Sequence, residues 1–372
     1  MAGYFKIAGL GWMVACMVTV MATVTTACSE DSVKGQDEVD GEPVLVTFNI
    51  GTPESGEVEY TRASAEAGND KKIESLKVYD FLVTVNGSND AKSALISRIH
   101  YLKKVESDRK AGEFTTEYNS GTGAMTATFT LSLPGSGDTE VEPRHIFAIV
   151  ANEGNIHFDS IARPGVTPID SLLYCFSSRK LENGENCDRL VGNAGAVMTA
   201  LTGELAIEKN MTLTDLPSLC RIVARVDVAN NVPDTRNLKI VGLSARYCAP
   251  RGYLFGRNYA GASTTDHYDY KDVRKIGQNT AVQKELEGLQ AKGICENVLY
   301  LYEQPLTRAG VATPEPVLLL SYTLNGAPRT MEVPLRTNGN RVAIERNRKY
   351  KLIVGSEAGV STRVVCTVAT GE

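Results

Sequence analysis

Pro43-Val44-Leu45-Val46-Thr47-Phe48-Asn49-Ile50 is followed, after a polar connection rich in Gly, Ser and Glu, by Thr61-Arg62-Ala63. The first run reads as a β-strand. Its alternation places Val44, Val46, Phe48 and Ile50 on one side and Leu45, Thr47 and Asn49 on the other, so the first set is the expected core face. A basic residue between such a strand and the rest of the chain allows two readings. The strand is an ordinary first strand with a surface arginine beside it, or it is built to be removed by cleavage at the Arg62–Ala63 bond.

Upstream, residues 1–27 carry one early base, Lys6, and a mostly apolar run from Ile7 to Val24. About 18 apolar residues can span a bilayer. The run ends in Thr25-Thr26-Ala27-Cys28, small residues directly before a cysteine, with no basic stop-transfer flank after it. That is the pattern of a lipoprotein signal peptide, with Cys28 the lipidated residue, and it is left out of the fold. Ser29-Glu30-Asp31 then gives an acidic tract of the kind that passes lipoproteins to the outer face of an outer membrane.

The chain has 372 residues and a net charge of −5. Residues 63–372, roughly 310, are enough for about two domains. Lys and Arg are scattered and form no stripe, so nucleic acid is not an expected partner. The one tryptophan, Trp12, lies in the signal, which excludes a Trp-lined carbohydrate platform. Eight cysteines include no CxxC pair, and none reads as a zinc ligand. Cys220 and Cys366 fall in strand-like runs as small apolar residues. Cys175 and Cys187 flank a polar loop, compatible with a disulfide in an oxidising compartment or with separate thiols.

Downstream, residues 63–72 lack any apolar period and read as mobile. Strands are expected at Ile73–Val85, ending in the turn pair Asn86-Gly87, at Met125–Leu133, half buried, and at Ile146–Ala151, covered on both faces. Thr167-Pro168-Ile169-Asp170 reads as a helix start with Thr167 as cap. Arg221–Val228 alternates charged and aliphatic residues, as if one face were core and the other water. Further strands are expected at Leu238–Leu243, Leu299–Glu303, Val317–Tyr322, Met331–Leu335, Ala343–Val354 and Arg363–Val368, with a short helix around Val282, Leu286 and Leu289. Strands with frequent turns favour two β-sandwich-like domains.

Catalytic patterns are absent from the sequence. His100, His145, His157 and His267 are far apart, and there is no Gly-x-Ser-x-Gly elbow or phosphate-binding glycine loop. The Tyr-rich stretch Gly252–Lys275 reads as a solvated loop. Within it Asp266, Tyr268, Asp269 and Tyr270 are the candidate contacts for a cation, sugar or protein. No metal or cofactor is expected, and the chain reads as an interaction or structural protein rather than an enzyme.

Five segments, in order, resemble the FimA-type major fimbrillins, the type V pilins. They are Ile73–Val85 with Asn86-Gly87, Ile146-Phe147-Ala148-Ile149-Val150-Ala151-Asn152-Glu153-Gly154, Val197-Met198-Thr199, Arg221–Val226, and Ile344-Glu345-Arg346-Asn347-Arg348-Lys349-Tyr350 with Val365–Ala369. The resemblance implies a mainly β fold of two tandem transthyretin-like β-sandwich domains with a few short helices. Its domain bounds here are 1–27 signal peptide, 28–62 propeptide with a removable first strand, 63–205 and 206–372. It implies an outer membrane lipoprotein precursor, lipidated at Cys28 and cut between Arg62 and Ala63 by a trypsin-like Arg-specific surface protease. A strand from a neighbouring fimbrial subunit would then replace Val44–Ile50 by β-strand addition. Stalk subunits of the family continue past the Cys-Thr-Val-Ala segment with an apolar donor extension, whereas this sequence stops at Val368-Ala369-Thr370-Gly371-Glu372. The expected role is therefore a tip or minor subunit of the fimbria, with a host or bacterial surface receptor among its partners. The rival readings are a basal anchor that keeps its first strand, and a surface glycan-binding lipoprotein using Tyr259, Tyr268 and Tyr270.

Overall fold

Among the described residues, strands form along most stretches where the sequence alternates or runs apolar, and in several places where it does neither. The computed structural model describes residues 44–52, 71–86, 91–133, 143–182, 185, 187–232, 237–256, 268–274, 293–308, 310–337, 339–356 and 364–371. All of them lie in one unit, Val39–Glu372.

The first strands in chain order are β1 (Val44–Gly51), β2 (Leu76–Asn86), β3 (Ala91–Lys104), β4 (Glu113–Asn119), β5 (Ala124–Leu133) and β6 (Arg144–Ala151). Two five-residue helices follow, α1 (His157–Ile161) and α2 (Ile169–Leu173), and then the short strands β7 (Met198–Leu201), β8 (Leu205–Ala206), β9 (Thr212–Leu213) and β10 (Cys220–Arg221). They join in one ladder of order β10-β7-β6-β2-β3-β4-β5-β1-β9, with β8 beside β6. β3 lets this ladder fold over on itself. It runs antiparallel to β2 from Ala91 to Leu102, and its last two residues pair in parallel with β4. The inner faces then meet in one core, with Val46, Phe48 and Ile50 of β1 and Phe129 and Leu131 of β5 against Leu76 and Val78 of β2 and Phe147 and Ile149 of β6. β5 alternates buried and half-buried residues along its whole length, as its sequence requires, and β6 is buried on both faces.

The remaining strands are β11 (Val223–Asn230), β12 (Leu238–Cys248), β13 (Tyr268–Arg274), β14 (Gly293–Tyr302), β15 (Thr307–Arg308), β16 (Val311–Ala312), β17 (Val317–Leu324), β18 (Ala327–Pro334), β19 (Arg336–Thr337), β20 (Asn340–Arg341), β21 (Lys349–Ser356) and β22 (Val364–Gly371). Two four-stranded sheets, β14-β11-β21-β22 and β13-β12-β17-β18, carry the second half, with β15–β16 and β19–β20 as short hairpins. The bounds given with the resemblance start a second domain at residue 206, and the ladders change sheet between β10 and β11, at Ile222. A second core joins the outer side chains of β2 and β6, such as Tyr79 and Val150, through α1 and α2 to Leu243, Leu299, Leu320 and Leu352.

The departures from the sequence reading have physical causes. Strand β3 carries a bulge opposite Asp80 and Phe81, whose partners are Arg98 and Ile96. The extra residue, Ser97, shifts the alternation by one and hides the period. The polar face of β11 meets no water. Arg225 and Asp227 are 11% and 6% exposed and pair at 2.9 Å, and Asp227 also accepts the Asn297 N–H at 2.8 Å. Thr167 does not cap α2. Its hydroxyl accepts the Arg163 N–H and donates to Ile161 O, and Pro168 stands at the cap position. Tyr268–Arg274 is the edge strand β13 rather than a loop, with Tyr268 and Tyr270 registered against Cys248 and Ala245. Of the run Ala343–Val354 only the part from Lys349 is strand, and Ile344 makes a single bridge to Gln304. The helix expected around Val282, Leu286 and Leu289 lies outside the described residues.

Two of the segments that carry the family resemblance are junctions. Asn152 adopts a positive φ of 62° after β6. Its side chain accepts the Glu74 N–H at 2.8 Å and donates to Lys72 O and Ala196 O. Glu153 beside it is buried and accepts from the Ser177 hydroxyl and from both the N–H and hydroxyl of Ser178. At the other junction Arg346 donates to Leu254 O and Tyr253 O and pairs with Glu303 at 2.8 Å. Gly256 packs so close to this guanidinium that an added Cβ would lie 2.8 Å from it. Tyr350 closes the same turn, its hydroxyl accepting the Glu345 N–H at 3.0 Å and donating to Ala343 O at 2.8 Å. Tyr350→Phe removes both bonds and leaves part-buried backbone groups unmatched. The expected loss is about 1–3 kcal/mol, read by urea denaturation, with the ring packing unchanged.

Candidate functional site

β1 has the features of a separable part. Among the described residues it is first in the chain, and it is joined onward through residues 53–70, which contain Arg62 and Ala63. Its main ladder is to β5, about eighty positions away in sequence, and is continuous from Val44↔Leu133 to Gly51↔Thr126. On its other side it meets only two residues of β9, in parallel, Thr47↔Thr212 and Phe48↔Leu213. The Thr47 N–H donates to Met211 O at 2.9 Å. Local sequence builds the strand. Four β-branched residues, Val44, Val46, Thr47 and Ile50, together with Phe48 suit a pleated surface with one face buried.

Val46, Phe48 and Ile50 are all at most 1% exposed. Val44, at the outer end, is only partly buried against the same core, and Leu45 points outward at 44% exposure. Phe48 is the centre of the contact. Its ring stacks on Phe129 at 4.8 Å and 7°, and meets Phe147 of the facing layer edge-on at 4.9 Å and 83°. Phe129 is also the register partner of Phe114, so three phenylalanines lie across three adjacent strands. Burial of the three inward side chains contributes roughly 5–9 kcal/mol. The end of the strand is tied down as well. The Thr52 hydroxyl accepts the Met125 N–H at 2.9 Å, and Gly51 O accepts the Leu219 N–H at 2.8 Å. Without β1, one flank of β5 would present unpaired N–H and C=O groups above an apolar trench, an arrangement that recruits another strand.

The aromatic partners of Phe48 escaped the sequence reading. Phe129 lies in a strand whose half-buried alternation was legible, but nothing local says which strand it pairs with. Cys28, Arg62, Ala63 and Asp266 lie outside the described residues. Tyr268, Asp269 and Tyr270 are placed by backbone only, on β13, in a different sheet from β1.

His145 Nδ1 lies 2.7 Å from Asp80 Oδ1, both buried, and its ring stacks on Phe147. His100 is nearby, its pKa lowered to about 4 by burial against the attraction of Asp80, with Arg98 adding a repulsion. Burial pushes the Cys175 and Cys220 thiols up, away from the nucleophilic thiolate form. Cys175 and Cys187 are both buried thiols, which decides against the disulfide, and Cys187 Sγ accepts the Tyr300 N–H at 3.0 Å. Among the described residues no group of three or more His, Cys, Asp or Glu is placed to hold a metal ion.

No family model matches the chain, and no curated protein matches it in sequence. Solved structures match it in fold. The tip fimbrial protein Mfa3 from Porphyromonas gingivalis, in a form with a C-terminal truncation, aligns with a TM-score of 0.51 at 15% identity, covering 88% of this chain and 99% of that one. A fimbrial assembly protein from Parabacteroides distasonis aligns at 0.47 and 11% identity, over 88% and 96% of the two chains. The fimbrial anchor protein Mfa2 from Porphyromonas gingivalis aligns at 0.39 and 13%, over 88% and 97%. At these identities the likeness is one of fold: mainly β, with a few short helices.

Two outcomes follow from the site. Phe48→Ala should destabilise the protein by about 3–5 kcal/mol in denaturant titration, whereas Leu45→Ala on the same strand should stay within about 0.5 kcal/mol. His100 binds its proton more weakly when folded than when unfolded. Stability should therefore fall as pH drops from about 6.5 towards about 4, by roughly 1–2 kcal/mol near pH 5, and His100→Gln should flatten that part of the profile.

Proposed function

We propose that this chain is a structural subunit of a surface fimbria, assembled by protease-triggered strand exchange. The observation that carries the reading is the seating of β1. It fills a core and completes a ladder, yet only residues 53–70 connect it to the strands it stabilises. Cleavage at Arg62–Ala63 would turn β1 into a separate peptide held by side-chain packing and hydrogen bonds alone. A strand from a neighbouring subunit would then add to β5 and supply its own alternate side chains to the trench.

In this reading the precursor is a lipoprotein carried to the outer membrane on the lipid of Cys28, and a trypsin-like Arg-specific protease trims it at the surface. Other fimbrial subunits are its partners. A tip or minor position, with an adhesive role toward a host or bacterial receptor, is supported by the fold shared with a tip fimbrial protein. It is also supported by the use of β22 at home, where it pairs with β21 from Ser356↔Val364 to Lys349↔Gly371. The protein acts by binding and assembly, and no enzymatic step is assigned to it.

The N-terminus of the protein recovered from sheared fimbriae tests the reading. A start at Ala63 is expected, and a start at Cys28 would instead describe a basal anchor that keeps its first strand. Arg62→Ala should give a precursor that is exported and folded but absent from fimbriae. Normal incorporation of that variant would overturn the proposal.

A further inference from the structure

Strand β18 is the outermost strand of its sheet. It pairs with β17 along its whole length, from Leu324↔Ala327 to Val317↔Pro334, and among the described residues no strand lies on its other side. Ala327 to Thr330, Glu332 and Pro334 are exposed. An open edge of this length is ordinarily a template for a further strand.

The hairpin fixes which backbone groups face outward. Asn325 and Gly326 form its two-residue loop with φ values of 52° and 81°, both positive as a type I′ turn requires, and the flanking pair Leu324 and Ala327 then exchanges both of its hydrogen bonds. Even-numbered residues of β17 therefore turn their backbone groups to β18, and odd-numbered ones to β12. Two bonds agree. The Asn325 N–H donates to Asn237 O, beside β12, at 3.2 Å, and on the opposite flank the Leu335 N–H donates to Pro316 O at 2.9 Å. On β18, Ala327, Arg329, Met331 and Val333 are thus turned to β17, while Pro328, Thr330, Glu332 and Pro334 are turned outward.

Both prolines of the strand stand at outward positions, the first and the last of them. A proline there removes no ladder bond, whereas one position along it would break the pairing with β17. Pro328 and Pro334 withhold two of the N–H groups that a further strand would need, and their rings occupy the space of an incoming carbonyl. Only Thr330 and Glu332 remain as donors, and Glu332 carries a charge tied to Arg246 at 3.0 Å. β5 is the contrasting case. Ala124–Leu133 contains no proline and no charged residue, and its flank carries β1 in unbroken register.

We propose that β18 is a guarded edge, closed by Pro328 and Pro334 to strand addition from a second copy of this chain, so that added strands are confined to the flank of β5. The confinement rests on the strand-exchange reading, and the guard does not. The pairing refused is that of β18 with β18 of another molecule. Antiparallel about Met331, it would set Pro328 of each copy opposite Pro334 of the other, and half of its hydrogen bonds would be missing.

The test uses the purified, unlipidated precursor carrying Arg62→Ala, in which β1 stays seated and the flank of β5 is filled. Sedimentation velocity over a concentration series and amide hydrogen exchange are measured with and without Pro328→Thr and Pro334→Thr together. The parent should sediment as one chain, with fast exchange at Thr330 and Glu332. The double variant should dimerise as concentration rises, with those two amides slowed. A double variant that stays monomeric, or a parent that already pairs with Thr330 and Glu332 protected, would overturn the proposal. Adding Thr330→Pro to the double variant should restore the monomer, since it blocks another outward position. In the parent, Thr330→Pro should leave the urea midpoint close to its original value, and Met331→Pro should lower it by breaking the ladder. Equal midpoints for these two would overturn the outward assignment, whether or not the double variant folds. Neither cleavage nor incorporation into fimbriae is read, so failure here leaves the strand-exchange reading standing.

Discussion

The stack of Phe48 on Phe129, with Phe147 edge-on to Phe48, joins the two layers of the first half of the molecule. One layer contributes β1 and β5 and the other contributes β6, and the three rings meet at the centre of the core between them. Val46 and Ile50 extend this contact by one side-chain pair in each direction. Much of the core on the β5 side depends on a strand that is remote in sequence and is otherwise held by a two-residue pairing with β9 and by backbone bonds to Met211 and Leu219. The arrangement is compatible with the exchange proposed above, in which that position is vacated and refilled.

The strand exchange proposed above would need a trench with rigid walls, and the junction residues cross-link the fold beside it. Asn152 at positive φ gathers the segment before β2, the end of β6 and the approach to β7 through one side-chain amide. Arg179 adds carbonyls from Asn152, Leu190, Val191 and Gly195. These contacts lie before β2, just after β6 and in the loops beyond, and none uses β1. The part of the fold read as staying is therefore cross-linked by side-chain bonds from Asn152 and Arg179, while the part read as leaving relies on apolar burial, its ladder to β5, a two-residue pairing with β9 and a few single bonds. Apolar burial is tolerant of sequence. A different strand with alternating aliphatic and aromatic residues can occupy the same trench, because pattern and volume matter more there than identity.

Legibility in the sequence followed the same division. Strands whose alternation is uninterrupted, such as Val44–Ile50 and Met125–Leu133, were readable because one face meets core and the other does not. β3 was hidden because the bulge at Ser97 breaks its phase, and β4 because Glu113–Asn119 buries only Phe114. β11 misled in the opposite sense. Its alternation of charge and aliphatic residues is real, but the charged side is satisfied by an internal pair rather than by water. Pattern alone cannot separate those cases, since both keep a charged group solvated by something. At the candidate site, the inward face of β1 was legible, and its partners were not. Pairing across some eighty residues leaves no local trace.

The covalent link through residues 53–70 decides whether β1 stays. A tethered strand faces its groove at an effective concentration in the millimolar range, roughly, so even modest packing keeps it seated. Once the link is cut, the same roughly 5–9 kcal/mol of burial must also offset the association cost of a free peptide, which is of comparable size. The strand then stays or leaves according to what else is present. In the proposed assembly a donor strand held close by a neighbouring subunit would regain the tethered advantage and take the groove. Proteolysis in this scheme weakens no contact in the core. It removes only the connectivity that favoured the resident strand, and so converts a stable first strand into an exchangeable one.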